Sequence, residues 1–327
     1  MKQKFLGFSL ILLVIFQLSI AGNAQQFFKQ HPQINPYQYT VVKEQSFQKA
    51  AVTSAHPLAS MVGAAMMKDG GNAYDAAIAV QFTLAVVFPA AGNIGGGGFL
   101  LSRNKAGDLM GIDFREAGPG KAHRDMYLDE KGNPIEGMSK LGASASGVPG
   151  SVAGMFSTLP FAKMTMKQLL QPAYELAAGG FVITESEARS LNAERKNFIK
   201  YSAQASAFTR KENWKAGDTL YQPELAATIL RIQQKGKAGF YEGETAAMIV
   251  EEMKNSKGLI SLEDLKKYTP QFRKPVEFDY RGHHIISFAP PSSGGILIAQ
   301  MMQMIAPYPL TVMGVNSFES VSLMVEA

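Results

Sequence analysis

Ala91-Gly92-Asn93-Ile94-Gly95-Gly96-Gly97-Gly98-Phe99-Leu100-Leu101 sets four consecutive glycines directly ahead of an apolar run. Phosphate-binding loops also concentrate glycine, but they open a helix whose free N–H groups and dipole hold the anion. No Gly-Lys-Ser/Thr follows here, and Phe99-Leu100-Leu101 reads as a strand. The run is therefore read as backbone that bends sharply or packs closely, which a residue without Cβ tolerates. A strand from Phe99, a turn over residues 104–107 and a returning strand over 109–114 make the expected hairpin.

Upstream, Leu58, Met61, Val62, Ala65 and Met66 recur at helical spacing after Pro57. Gly70-Gly71 stops that helix, and Asn72 with Asp75 three residues later has the form of a capping box for the next. The second helix, over 73–87, is apolar nearly all round and belongs in a core. Downstream the pattern is mostly helical, with helices expected over 165–178, 185–200, 222–234, 243–254, 261–267, 296–305 and 317–327. A hairpin is expected over 276–279 and 284–288, and a first short strand over 40–42.

The 327 residues are 46% hydrophobic and 18% charged, an ordinary globular balance. Net charge is +5, and the 32 basic and 27 acidic side chains are scattered, which argues against nucleic-acid binding. The absence of Cys excludes disulfides, thiolate nucleophiles and Cys-ligated metals. Lys2 and Lys4 precede the apolar residues 5–20 and then Ala21-Gly22-Asn23-Ala24, the layout of a secretory signal cleaved after Ala24. An uncleaved anchor is the rival, but the apolar stretch is interrupted and shorter than the ~20 residues a span needs. The expected organisation is a signal over 1–24 and one region over 25–327, exported to the periplasm or beyond.

Few side chains advertise chemistry. Gly142-Ala143-Ser144-Ala145-Ser146-Gly147 is similar to a nucleophile elbow but has Ser where the second Gly belongs. His31, His56, His123, His283 and His284 lack metal-ligand spacing, and neither a metal nor another cofactor is expected. Arg115 follows the strand at the point where Glu116-Ala117-Gly118-Pro119 breaks the pairing. A guanidinium there can hold a carboxylate through two parallel N–H···O bonds. A salt bridge to Asp113 or Glu116, or simple exposure, fits the spacing as well.

Several segments together resemble one family. Gly70-Gly71-Asn72-Ala73-Tyr74-Asp75-Ala76-Ala77 is similar to its GGNAxDAA signature, residues 91–99 to xGNxGGGGF, and Ile112-Asp113-Phe114-Arg115-Glu116 to IDFRE. Residues 147–154 are similar to GxPGxVAG, and Pro290-Pro291-Ser292-Ser293-Gly294-Gly295 to PPSSGG. In this order, within residues 56–306, they look like the large-subunit region of the gamma-glutamyltransferases. The resemblance implies an α/β (α+β) N-terminal-nucleophile hydrolase with a four-layer αββα sandwich, incomplete here. It also implies a precursor that cleaves itself to free a Thr, whose α-amino group, titrating near about 8, serves as base.

That Thr attacks the γ-amide of glutathione, and water or an acceptor amine resolves the γ-glutamyl ester. In the family the Arg of the DFRE motif binds the donor's α-carboxylate, a role that falls on Arg115. The resemblance also places the nucleophile beyond Ala327. The chain contains no Thr-Thr pair, so this fragment by itself is expected to be inactive and to need the small subunit of the same precursor. Glutaryl or cephalosporin acylases of the same fold, and a non-catalytic remnant of the scaffold, are the competing expectations.

Overall fold

A computed structural model describes residues 26–327. The expected signal over 1–24 lies outside the described residues. Contacts divide the chain into two compact units. One comprises the described residues up to Gly96 together with Glu116–Tyr268, and the other comprises Gly97–Arg115 with Thr269–Ala327.

The first unit is largely helical. Its centre is the helix Ala73–Val87, which packs on Pro57–Lys68 and Met166–Gly179, the latter also packing on Pro223–Lys235. The side chains of Ile78, Ala79, Phe82, Val86 and Val87 are wholly or almost wholly removed from solvent. Burying each of the larger ones is worth about 1.5–3 kcal/mol, which explains how a helix with almost no polar face is held. Its start is fixed locally. The Asn72 side chain accepts from the backbone N–H of Tyr74 and Asp75, and Asp75 accepts in return from the N–H of Asn72 at 2.7 Å. The same carboxylate, fully buried, also accepts from the N–H groups of Lys163 at 3.1 Å and Met164 at 2.8 Å. One acid thus caps its own helix and anchors the approach to Met166–Gly179.

Capping boxes open three further helices: Thr165 with Gln168, Thr184 with Glu187 before Glu185–Tyr201, and Ser261 with Asp264 before Leu262–Lys267. Glu187 also meets buried His56. The Nδ1 of His56 accepts from the N–H of Leu58 at the start of Pro57–Lys68, which puts the ring proton on Nε2, 3.0 Å from Glu187. Burial raises the Glu187 carboxyl, but the adjacent His56 ring and hydrogen bonds from Thr184 outweigh it and hold the group below its ordinary range. Glu175 shifts the other way. Its burial prevails over the N–H donors of Phe27 and Phe28 and the amide of Gln171, so its carboxyl is pushed up.

The second unit carries the expected hairpin. Phe99–Arg103 pairs antiparallel with Leu109–Asp113, with Phe99 opposite Asp113 and Arg103 opposite Leu109. Leu109–Asp113 pairs on its other edge with Gln271–Arg273. A second hairpin joins Val276–Tyr280 to His283–Ser287 through Arg281 and Gly282, whose φ values of 48° and 80° suit a two-residue turn. The helix Gly294–Ile305 follows, and Phe318–Glu326 is the last helix.

The expected helices are present, with ends shifted by one or two residues. Residues 40–42 form no strand; Val41 and Val42 are exposed and pair with nothing among the described residues. Gln271–Arg273 and the pairing of Phe181–Val182 with Thr219–Leu220 were not expected. They are two or three residues long, too short to carry an alternating pattern. The described sheets hold three, two and two strands.

Candidate active site

Two of the motif segments meet in the first unit through backbone groups. The carbonyl of Gly96 accepts from the N–H of Gly150 at 2.7 Å and of Ser151 at 2.9 Å. Those donors sit at the start of the helix Ser151–Thr158, where Gly150 is the cap residue and offers no side-chain cap. A Cβ on Gly96 would lie 2.6 Å from Asn93 Oδ1, so a side chain at 96 would displace the Asn93 amide. Ala117 and Val148 exchange backbone hydrogen bonds of 3.2 and 2.8 Å, which locks the residues just after Arg115 to the segment preceding the helix. The glycine run therefore organises backbone, and it leads into a strand as the sequence indicated.

Tyr241 adds a side chain to this junction. Its buried phenol donates to the carbonyl of Pro149 at 2.8 Å and accepts from the N–H of Ala153 at 3.2 Å. The ring stacks on Tyr268, and the Lys237 ammonium lies 5.3 Å from the Tyr241 ring while donating to the carbonyl of Tyr268. Burial raises the Tyr241 hydroxyl and lowers Lys237.

In the second unit, the strand Leu109–Asp113 ends on Asp113, whose carboxylate is buried. Oδ1 accepts from the N–H of Arg115 at 3.1 Å, while Oδ2 accepts from Nε and Nη2 of Arg273 at 3.0 and 2.9 Å. Arg115 is exposed, and its guanidinium carbon lies 5.6 Å from the centroid of the Phe99 ring, which packs on Phe288 at 4.3 Å. An arginine over an aromatic face has its plane steadied by cation–π attraction. Of the partners considered for Arg115 from spacing, Asp113 binds its backbone N–H, and that acid's other oxygen is taken by Arg273.

The remaining candidates fall in structural roles. Ala143–Ala145 is a single 3₁₀ turn, and the Ser144 hydroxyl donates to the carbonyl of Met138. His31 pairs with Asp69, His284 lies between Asp279 and Glu277, and His123 and His283 are exposed. Among the described residues no group of three or more His, Asp or Glu is gathered as for a metal ion. A cleft of about 630 Å³ is lined by Phe181, Leu191, Phe198 and Leu220, and one of about 380 Å³ opens beside residues 92–95; Arg115 lines neither. Tyr241 and Arg273 escaped sequence reasoning because neither belongs to a recognised motif and nothing nearby in the chain names its partner.

The fold is that of the N-terminal-nucleophile hydrolases. The crystal structure of Helicobacter pylori gamma-glutamyltranspeptidase superposes with a TM-score of 0.84 at 40% identity, covering 86% of this chain and 82% of that one. The family model described as Gamma-glutamyltranspeptidase matches residues 59–327, and the chain belongs to that family. The glutathione hydrolase proenzyme of Pseudomonas sp. (strain A14) is 43% identical over 279 residues, 84% of this chain and 48% of its own length. The glutathione hydrolase proenzyme of Escherichia coli (strain K12) is 41% identical over the same shares. The chain thus spans about half the length of these curated relatives. Acylases are more distant, with an acylase proenzyme of Pseudomonas sp. (strain V22) at 34% identity.

Proposed function

We propose that residues 25–327 are the donor-binding, large-subunit region of an exported gamma-glutamyltransferase or glutathione hydrolase, made as a proenzyme and cleaved into two subunits. The observation that carries this reading is Arg115, displayed at a strand end with its backbone held by Asp113 and its guanidinium steadied over Phe99. An exposed fork in that setting suits the α-carboxylate of a γ-glutamyl donor, a charge-assisted contact worth about 1.5–3 kcal/mol. The two named proenzymes act, by their names, on glutathione, which supports the same donor class here.

The chemistry requires a Thr hydroxyl from outside the described residues. Its proton passes to the Thr α-amino group as the oxygen attacks the γ-carbonyl, and then to the departing amine as the amide C–N bond breaks. Water or an acceptor amine next cleaves the resulting γ-glutamyl ester and restores the hydroxyl. In this scheme Arg115 orients the donor and takes no proton. Export is supported by the basic, apolar and small-residue order of residues 1–24. Among the described residues no helix is long and apolar enough to cross a membrane.

The test is donor kinetics in the full-length protein carrying this chain. Arg115→Ala raises the donor KM by 10-fold or more, and Arg115→Lys recovers part of it because charge returns without the fork. Unchanged KM in both variants refutes the reading. Faster turnover of a glutaryl amide than of the γ-glutamyl amide would assign the acylase activity instead.

A further inference from the structure

Arg273 lies in none of the motifs, yet it is the side chain that holds the acid beside Arg115. Gln271–Arg273 pairs with Leu109–Asp113 so that Arg273 stands opposite Gly111 and Gln271 opposite Asp113. Residues two apart on a strand share a face, so Arg273 and Asp113 are diagonal neighbours on the same side of the sheet. Gly111, between them on that face, has no side chain to obstruct the lane. A Cβ there would come within 2.8 Å of the Arg273 carbonyl. The guanidinium therefore reaches along the sheet to place Nε and Nη2 on one oxygen of Asp113, at 3.0 and 2.9 Å.

That grip has a consequence at the other oxygen. Asp113 is buried and its Oδ1 accepts from the N–H of Arg115. A carboxylate held by a two-donor contact cannot rotate without breaking a charge-assisted bond, so the Oδ1 position, and with it the backbone at Arg115, is set by a residue 160 positions away in the chain. With Arg273 removed, a buried acid would lack its main counter-charge. It would turn toward the nearest cation on its own face, and residue 115 is two positions on.

We infer that Arg273 is a positioning residue of the donor site: acting through Asp113, it fixes the backbone of Arg115 and keeps the Asp113 carboxylate from competing for the donor-binding guanidinium. This rests on the reading of Arg115 given above.

The test uses the full-length protein with Arg273→Gln, Arg273→Lys and Arg115→Ala side by side. Arg273→Gln is expected to raise the donor KM about 10-fold while kcat per active site, titrated with a covalent γ-glutamyl analogue, stays within about threefold. Arg273→Lys keeps the charge and the fold, and falls between. Hydrogen exchange at the Arg115 amide is expected to quicken at least 10-fold in Arg273→Gln. A merely structural role would lower the titratable fraction and leave KM alone. KM unchanged in Arg273→Gln and Arg273→Lys while Arg115→Ala raises it, or an unchanged Arg115 amide, overturns the inference. KM unchanged in Arg115→Ala overturns the donor-site reading, and the amide measurement then still decides whether Arg273 sets this backbone.

Discussion

The phenol of Tyr241 donates to the carbonyl of Pro149 and accepts from the N–H of Ala153, so one side chain closes both sides of the turn that opens the helix Ser151–Thr158. The same helix start satisfies two more donors with the carbonyl of Gly96. The Ala153 N–H, one that a side-chain cap would ordinarily take, is therefore engaged by a residue from elsewhere in the chain.

Tyr241→Phe removes only the hydroxyl and leaves the ring against Tyr268. Two buried backbone groups lose their partner, at a cost of about 1–3 kcal/mol. Calorimetry is expected to show a lower Tm with an intact overall fold by far-UV circular dichroism; a Tm within error of the parent would show that the phenol contributes nothing. Because burial raises the Tyr241 hydroxyl, alkaline difference spectroscopy on the two proteins should also show its phenolate forming later than that of ordinary tyrosines.

Asp75 serves as a second internal anchor, taking backbone N–H groups from Asn72, Lys163 and Met164 while fully buried. Asp75→Asn keeps the shape but turns an amide NH₂ toward donors that need an acceptor. The expected loss is roughly 2–3 kcal/mol by urea unfolding, since each hydrogen bond to a charged group contributes about 1.5–3 kcal/mol. Equal midpoints for Asp75→Asn and the parent would dismiss the anchor.

His284 is held between carboxylates on its own hairpin. Nδ1 lies 2.9 Å from Asp279 and Nε2 3.0 Å from Glu277. Hydrogen bonds to Asp279 and then Glu277 raise its pKa above the ordinary 6.5. A group whose folded pKa is raised stabilises the folded state fully below its unfolded value, and that contribution disappears as pH rises through the folded one. The hairpin is thus expected to be firmest below about pH 6.5 and to lose this contribution on the alkaline side. Imidazole NMR titration should place His284 above an exposed histidine, with Asp279→Asn lowering it more than Glu277→Gln. A midpoint at or below 6.5 would contradict the arrangement.

The legible parts of this protein are those whose partners are close in the chain. Asn72 and Asp75 stand three residues apart, and helix geometry alone brings their side chains to each other's backbone N–H groups. The apolar circuit of residues 73–87 declared a buried helix for the same reason, because 3.6-residue periodicity is a local property. The strand after the glycines and the hairpin over 276–287 were legible from turn residues flanked by apolar ones. Arg115 was legible as a candidate only, since its spacing fits carboxylate binding, a salt bridge and exposure alike.

What the tertiary structure alone decided is which distant groups meet. The partner of Asp113 is 160 residues away, on a three-residue strand too short to show a pattern, and Glu175 meets the N–H of Phe27 across 148 residues. Such pairs arise when helices and sheets dock and their buried polar groups must find partners or carry an unpaid desolvation penalty. Nearest-neighbour chemistry in the chain therefore specified the elements and the motif that presents Arg115, whereas docking chose Arg273 to hold Asp113 and Tyr241 to close the turn at Pro149.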